Sequence, residues 1–170
     1  MGINAIWLNP ICTSPNDDNG YNTSDYRDIM KEMGNMKDFD EMFAGMKKRN
    51  IKLIMDLVIN HSSDEHVWFK EAKSSRNNKY RNYYHWRPKE KGIPPKRYSL
   101  FDENADAWRF DSITNSYYLH YFSRKQPDLN WENPALRNEM YEIQVRQMCE
   151  WISIRCISLY GKGYQLAGNA

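Results

Sequence analysis

"IKLIMDLVINHSSDEH", residues 51–66, decides how the rest of the chain is read. Residues 51–59 are apolar except for Lys52 and Asp56, the composition of a parallel strand covered on both faces. The stretch then turns polar, so Asp56, Asn60 and His61 lie toward the carboxyl end of a strand, where parallel α/β sheets and barrels collect their ligand sites. Taken alone, His61 reads as a core histidine satisfying a hydrogen bond. Its neighbours change that reading.

Upstream, Asn35 is placed to cap a helix whose Met36, Phe39, Phe43 and Met46 recur on one face. Lys47, Lys48 and Arg49 favour its C-terminal end. Before it, "TSPNDDNGYNTSDYRD" (13–28) is a cluster of turn formers and is expected to be a polar loop with neither strand nor helix. "INAIWLNP" (3–10) is a short apolar run closed by Pro10 and is expected to be a buried strand. Strand, loop, helix, strand is a βαβ unit. Its loop holds Asp18 and Tyr21, so two successive strands would present a carboxylate, a phenol and an imidazole from one edge.

Those groups suit a sugar pocket: a carboxylate accepts from vicinal hydroxyls, an imidazole donates or accepts, and a tyrosine ring stacks on a pyranose. The plainer reading of Asp18 is a solvated turn residue in "DDNG". A metal site is not expected at "HSSDEH" (61–66), because its histidines lack the i, i+4 spacing of helical ligands.

Downstream, a short helix is expected over 64–72, beginning after Ser63. Residues 73–130 are rich in Arg, Lys, Pro, Asn and Tyr, with only short strand-like runs such as "SYYLHYF" (116–122), and read as an inserted irregular subdomain. The last helix opens with Asn133 as cap and Pro134 as first residue, and continues through Leu136, Met140, Ile143 and Trp151. Residues 151–170 have no period and no cluster of polar side chains suited to chemistry.

The 170 residues are enough for one domain with a core. Aromatic residues make up 14% of the chain while the mean hydropathy is only −0.88, which suggests a wet stacking surface as well as a core. With 24 basic against 22 acidic residues there is no strong field for a phosphate backbone. Basic and aromatic residues do interleave in "SSRNNKYRNYYHWRPKEKGIPPKR" (74–97), yet a solvated subdomain surface is the preferred reading and no nucleic-acid partner is expected. Cys12, Cys149 and Cys156 are odd in number and lack CxxC spacing, which suggests neither a disulfide framework nor zinc, and a reducing compartment. No signal peptide and no membrane span is recognisable, so a soluble cytoplasmic protein without a membrane partner is expected.

Four segments carry a likeness to a known family. "GINAIWLNP" (2–10), "DNGYNTSDY" (18–26), "DLVINHSSDEHVWF" (56–69) and "YYLHYFSRKQPDLNWENP" (117–134) together resemble the α-amylase superfamily of glycoside hydrolases, glycoside hydrolase family 13. The likeness covers nearly all of residues 2–141 in the family's order, and "QPDLN" (126–130) points to the branch of oligo-1,6-glucosidases, dextran glucosidases and trehalose-6-phosphate hydrolases. The resemblance implies an α/β fold: a partial (β/α)8 TIM barrel containing the second and third strands and the helix after an irregular α+β insertion that follows the third strand. It divides the chain into barrel residues 1–61, inserted subdomain 62–131, barrel helix 132–150 and an aberrant tail 151–170. It implies further that Asp18, Tyr21 and His61 line the subsite for a terminal glucose, and that Asp56, with Asn60, supports that site. No cofactor is implied.

Family members hydrolyse α-glucosidic bonds with retention, using an Asp nucleophile and a Glu acid/base about 5–5.5 Å apart. The nucleophile's Gly-Phe-Arg-x-Asp segment occurs nowhere in the chain. The expectation is therefore a fragment of a retaining α-glucosidase acting on α-glucoside oligosaccharides, with part of the glucose subsite and no catalytic carboxylate. The alternative is a non-catalytic carbohydrate-binding or inactive partner protein. The tail has its own explanation: Trp151 to Cys156 can be encoded TGG ATT TCG ATT AGA TGY, and one nucleotide later the same bases read Gly-Phe-Arg-Leu-Asp. Residues 151–170 are accordingly expected to be an out-of-frame translation.

Overall fold

The computed structural model describes residues 2–101 and 105–148. Two strands, β1 (Ala5–Leu8) and β4 (Lys52–Met55), pair in parallel from Ala5↔Lys52 to Leu8↔Met55. Between them in the chain lie an antiparallel ribbon of β2 (Cys12–Thr13) with β3 (Asp25–Ile29), and then helix α1 (Met36–Lys48). The expected βαβ unit is present.

Helix α1 starts where Asn35 places it. The Asn35 side chain accepts from the N–H groups of Lys37 and Asp38, and the Asp38 carboxylate reaches back to the N–H of Asn35, a reciprocal capping box that satisfies amides otherwise left orphaned at the helix start. Its Phe39 and Met46 are buried with Ile29 of β3 and Leu53 of β4 to form one core.

A larger core joins several stretches that follow β4 to the ribbon. Tyr26 of β3 and Leu57 pack with Trp68, Phe69 and Ala72 of α2 (Val67–Ser74), with Tyr83, Tyr84 and Tyr118, and with Leu136, Met140 and Ile143 of α3 (Pro134–Met148). The segment between α2 and α3 builds a three-stranded antiparallel sheet, with β7 (Ser116–Leu119) between β5 (Trp86–Pro88) and β6 (Trp108–Asp111). Helix α3 is capped by Asn133, whose Oδ1 accepts the N–H of Ala135 at 2.9 Å. Trp151 and the tail 151–170 lie outside the described residues.

Four expectations need correcting. Residues 13–28 are not all loop, because Tyr26 and Ile29 turn inward and draw Asp25–Ile29 into a strand against Cys12 and Thr13, tertiary packing overriding a local excess of turn formers. Helix α2 begins at Val67, not at residue 64. Ser63 closes a turn with His66 first, and His66 is the cap, its Nδ1 accepting the Trp68 N–H at 3.1 Å. Strand β1 is not buried: Trp7 is 55% exposed, and β4 is its sole partner among the described strands. Many of the rings that suggested a stacking surface are core instead. Phe69 sits edge-on to Tyr84 and Tyr118, and Trp68 edge-on to Tyr83. Within the basic stretch 74–97, the Arg81 guanidinium lies 3.4 Å over the Trp86 ring and donates to the Ala72 carbonyl. Burial lowers its pKa to about 10.

Candidate functional site

The carboxyl ends of β1 and β4 point the same way because the two strands are parallel, and Asp56 is the first residue past β4. Its carboxylate ties three pieces of chain together. Trp7 of β1 donates its indole N–H to Oδ1 at 2.8 Å, and Tyr21 of the loop donates its hydroxyl to Oδ2 at 2.9 Å. That bond to Asp56 is the main cause of a raised Tyr21 pKa, with burial second.

Tyr21 is delivered by a tight turn. Its N–H donates to the Asp18 carbonyl at 2.8 Å, while Asn19 and Gly20 take positive φ values of 48° and 90°. A Cβ at Gly20 would stand 2.7 Å from the Pro10 carbonyl oxygen, so only glycine fits this close approach. The turn reaches His61 through the Tyr21 carbonyl, 2.9 Å from His61 Nε2, while Asn60 Nδ2 lies 3.0 Å from His61 Nδ1. A carbonyl only accepts and an amide nitrogen only donates, so His61 carries its proton on Nε2. The ring is 5.1 Å from that of Phe122, and the backbone carbonyl of His61 accepts the buried Tyr26 hydroxyl at 2.9 Å.

Asp18 is held from the segment between β7 and α3. Gln126 Nε2 donates to Asp18 Oδ2 at 2.8 Å, and beside it Lys125 pairs with Asp17 at 2.6 Å. Among the described residues Asp18 Oδ1 has no protein partner. The five residues singled out in the sequence thus form one network, with Asp18 joined to Tyr21, Tyr21 to both Asp56 and His61, and His61 to Asn60. One detail differs from expectation: both His61 nitrogens are engaged by protein.

Sequence reasoning missed Trp7 and Gln126. Trp7 reads as one more apolar residue of a strand. Gln126 lies in a segment noted only as a branch marker, and its partner is 108 residues away in the chain.

Chemically, a half-buried carboxylate with one oxygen to spare, beside a phenol and an imidazole, is an acceptor for hydroxyl groups. Residues 1–156 match the family model described as the alpha amylase catalytic domain. The chain is 56% identical over 144 residues to an oligo-1,6-glucosidase of Parageobacillus thermoglucosidasius, and 50% identical over 143 residues to a glucan 1,6-alpha-glucosidase of Streptococcus dysgalactiae subsp. equisimilis. Each alignment takes in 84% of this chain and about a quarter of the relative (25% and 26%), so the chain spans about a quarter of the length of these relatives. Among solved structures, the trehalulose synthase MutB from Pseudomonas mesoacidophila MX-45 superposes with a TM-score of 0.85 at 50% identity, over 91% of this chain and 28% of that one. The same enzyme has been solved, as variants, with glucose and with sucrose.

Proposed function

Because the chain belongs to the α-amylase catalytic-domain family, we propose that it carries the terminal-glucose subsite of a retaining α-glucosidase that acts on α-linked oligosaccharides. In this reading β1 and β4 are the second and third strands of a (β/α)8 barrel, residues 62–131 the subdomain inserted after the third strand, and α3 the barrel helix beyond it. Asp18 accepts from vicinal hydroxyls of the glucosyl unit. The Tyr21 ring packs on its apolar face, His61 closes the wall beside Phe122, and Asp56 and Asn60 hold these groups in place.

The observation that carries the reading is Asp18 Oδ1, which has no protein partner among the described residues, beside a Tyr21 hydroxyl and a His61 ring that are held by protein hydrogen bonds. The named substrates of the relatives support the same class, since oligo-1,6-glucosidases, glucan 1,6-alpha-glucosidases and a sucrose-bound synthase share a terminal α-glucosyl unit. No carboxyl pair with the roles of nucleophile and acid/base is assigned within the 170 residues, so the purified chain is expected to leave p-nitrophenyl α-glucoside and isomaltose intact.

The test is a titration of the isotope-labelled chain with glucose and isomaltose, followed by NMR. The reading expects perturbation at Asp18, Tyr21 and His61 that disappears in Asp18→Ala. Absence of any perturbation at these residues, or an equal one by mannitol, defeats it.

A further inference from the structure

We infer that Gln126 is the positioning residue of the candidate subsite: a buried, orientation-locked amide through which the inserted segment aims the Asp18 carboxylate at substrate. The inference rests on the proposed sugar subsite for its functional meaning and on geometry for its contact.

Gln126 is 1% exposed, and a buried amide must satisfy both ends. Its Oε1 accepts the Ser123 N–H at 3.0 Å, and its Nε2 donates to Asp18 Oδ2 at 2.8 Å. The backbone N–H of Ser123 can only donate, so it fixes which end of the amide is oxygen. Turned the other way, the side chain would set an oxygen against a carboxylate and an NH2 against an N–H. Asp18 therefore always faces a donor.

The platform behind Gln126 is fastened to the end of the β4 segment. His61 bridges Asp128, the Ser62 N–H donates to the Pro127 carbonyl at 3.2 Å, and the Leu129 N–H to the Asn60 carbonyl at 3.1 Å. On the other side of Gln126, the Asp64 N–H donates to the Lys125 carbonyl at 2.8 Å. A residue held from both sides places its amide more sharply than a side chain on a free loop.

The partner's neutrality also matters. Lys125, the adjacent cation, is committed to Asp17. Asp18 thus receives one hydrogen bond from a neutral amide, which orients one oxygen and leaves the other for hydroxyl donors.

The experiment uses the full chain and two readouts. Gln126→Glu keeps the shape and the acceptor for Ser123 but sets two carboxyls side by side. Such a pair holds a proton at higher pH than either group alone. The unfolding midpoint of Gln126→Glu is expected to fall at neutral pH and to recover toward wild type as the pair takes up one proton on acidification. The exchanged double variant, Asp18→Asn with Gln126→Glu, is expected to restore the midpoint at neutral pH, because an amide again faces a carboxylate. A double variant no more stable than Gln126→Glu overturns the contact.

For function, Gln126→Met removes the donor at similar volume and is expected to weaken glucose binding by about tenfold to a hundredfold, as loss of an orienting contact does. Equal glucose affinity in Gln126→Met and wild type overturns the positioning role while leaving the subsite standing. Restoration by the exchanged pair without any glucose signal in wild type removes the subsite and keeps the contact, and with it overturns the positioning of substrate.

Discussion

Replacing Tyr21 by Phe removes one hydroxyl and leaves the ring. In the folded chain that hydroxyl donates to Asp56 at 2.9 Å, and Asp56 keeps its second donor, Trp7, at 2.8 Å. A hydrogen bond to a charged acceptor contributes about 1.5–3 kcal/mol, and removing it from a half-buried site, where water can take its place, brings the expected cost down to about 1 kcal/mol. For a chain of this size that is a drop of about 2–4 °C in thermal midpoint. The pH dependence is a sharper signature. The folded Tyr21 has a pKa raised above its ordinary 10.0, first by its bond to Asp56. A raised pKa means that the protonated form is favoured by folding, so the contribution is fully present below pH 10 and is lost as pH rises through the folded value. Thermal unfolding of wild type and Tyr21→Phe, followed by circular dichroism from pH 7 to pH 11, should show a constant gap that narrows only above pH 10. A gap below about 0.3 kcal/mol at pH 7, or one that widens in alkali, refutes the assignment of Asp56 as the acceptor that holds the loop to β4.

Three further outcomes are expected. Burial, reinforced by Arg27, holds the His66 pKa at about 3 against an ordinary 6.5, so stability should fall by about 1.4 kcal/mol per pH unit as pH drops from 6.5 toward 3, and His66→Asn, which keeps a capping oxygen, should flatten that slope in denaturant titrations. Met140→Ala empties a site 1% exposed in the core that seats α3 and should cost about 2–5 kcal/mol in urea unfolding, with a loss below 1 kcal/mol refuting that seat. For the tail, sequencing the locus should find codons for residues 151–156 that read Gly-Phe-Arg-x-Asp one nucleotide later, and codons that cannot do so end the out-of-frame proposal.

What was legible in the sequence is what short-range chemistry dictates. Asn35 and Asn133 mark their helices because a capping oxygen serves amides two or three residues away. The apolar run before Asp56 marked a parallel strand, and among the described residues its Leu53 and Met55 face packs on α1 while Lys52 on the other face is exposed. The polar cluster followed from the order of the βαβ unit, which puts the loop of Asp18 and Tyr21 and the residues after β4 at one edge. Strand β3 was hidden because its pairing with Cys12 and Thr13 is decided by Tyr26 and Ile29 reaching separate cores, which no local window contains. Gln126 and Trp7 were hidden for the same reason at longer range, since their partners lie 108 and 49 residues away. An amide or an indole carries no sign in the sequence of the carboxylate it will meet.

The two carboxylates of the cluster show how partners divide labour between residues of one chemistry. Asp56 receives an indole N–H on one oxygen and a phenol O–H on the other, from two different stretches of chain. Both oxygens are occupied, and losing the group would remove the side-chain ties from Trp7 and Tyr21 to the end of β4 while leaving the β1–β4 ladder in place. Asp18 receives one amide N–H, from a side chain whose own orientation is fixed, and keeps an oxygen to spare. Asp18 is only half-buried and its Oδ1 is not among the buried unsatisfied atoms of the described residues, so water can serve that oxygen, and a hydroxyl that takes the water's place finds an acceptor already oriented. The segment that carries Gln126 is packed into the larger core, its Tyr83, Tyr84, Tyr118 and Leu129 buried with Tyr26 and Leu57, so the amide that meets Asp18 stands on the same packed body as the strand end that carries Asp56 and His61.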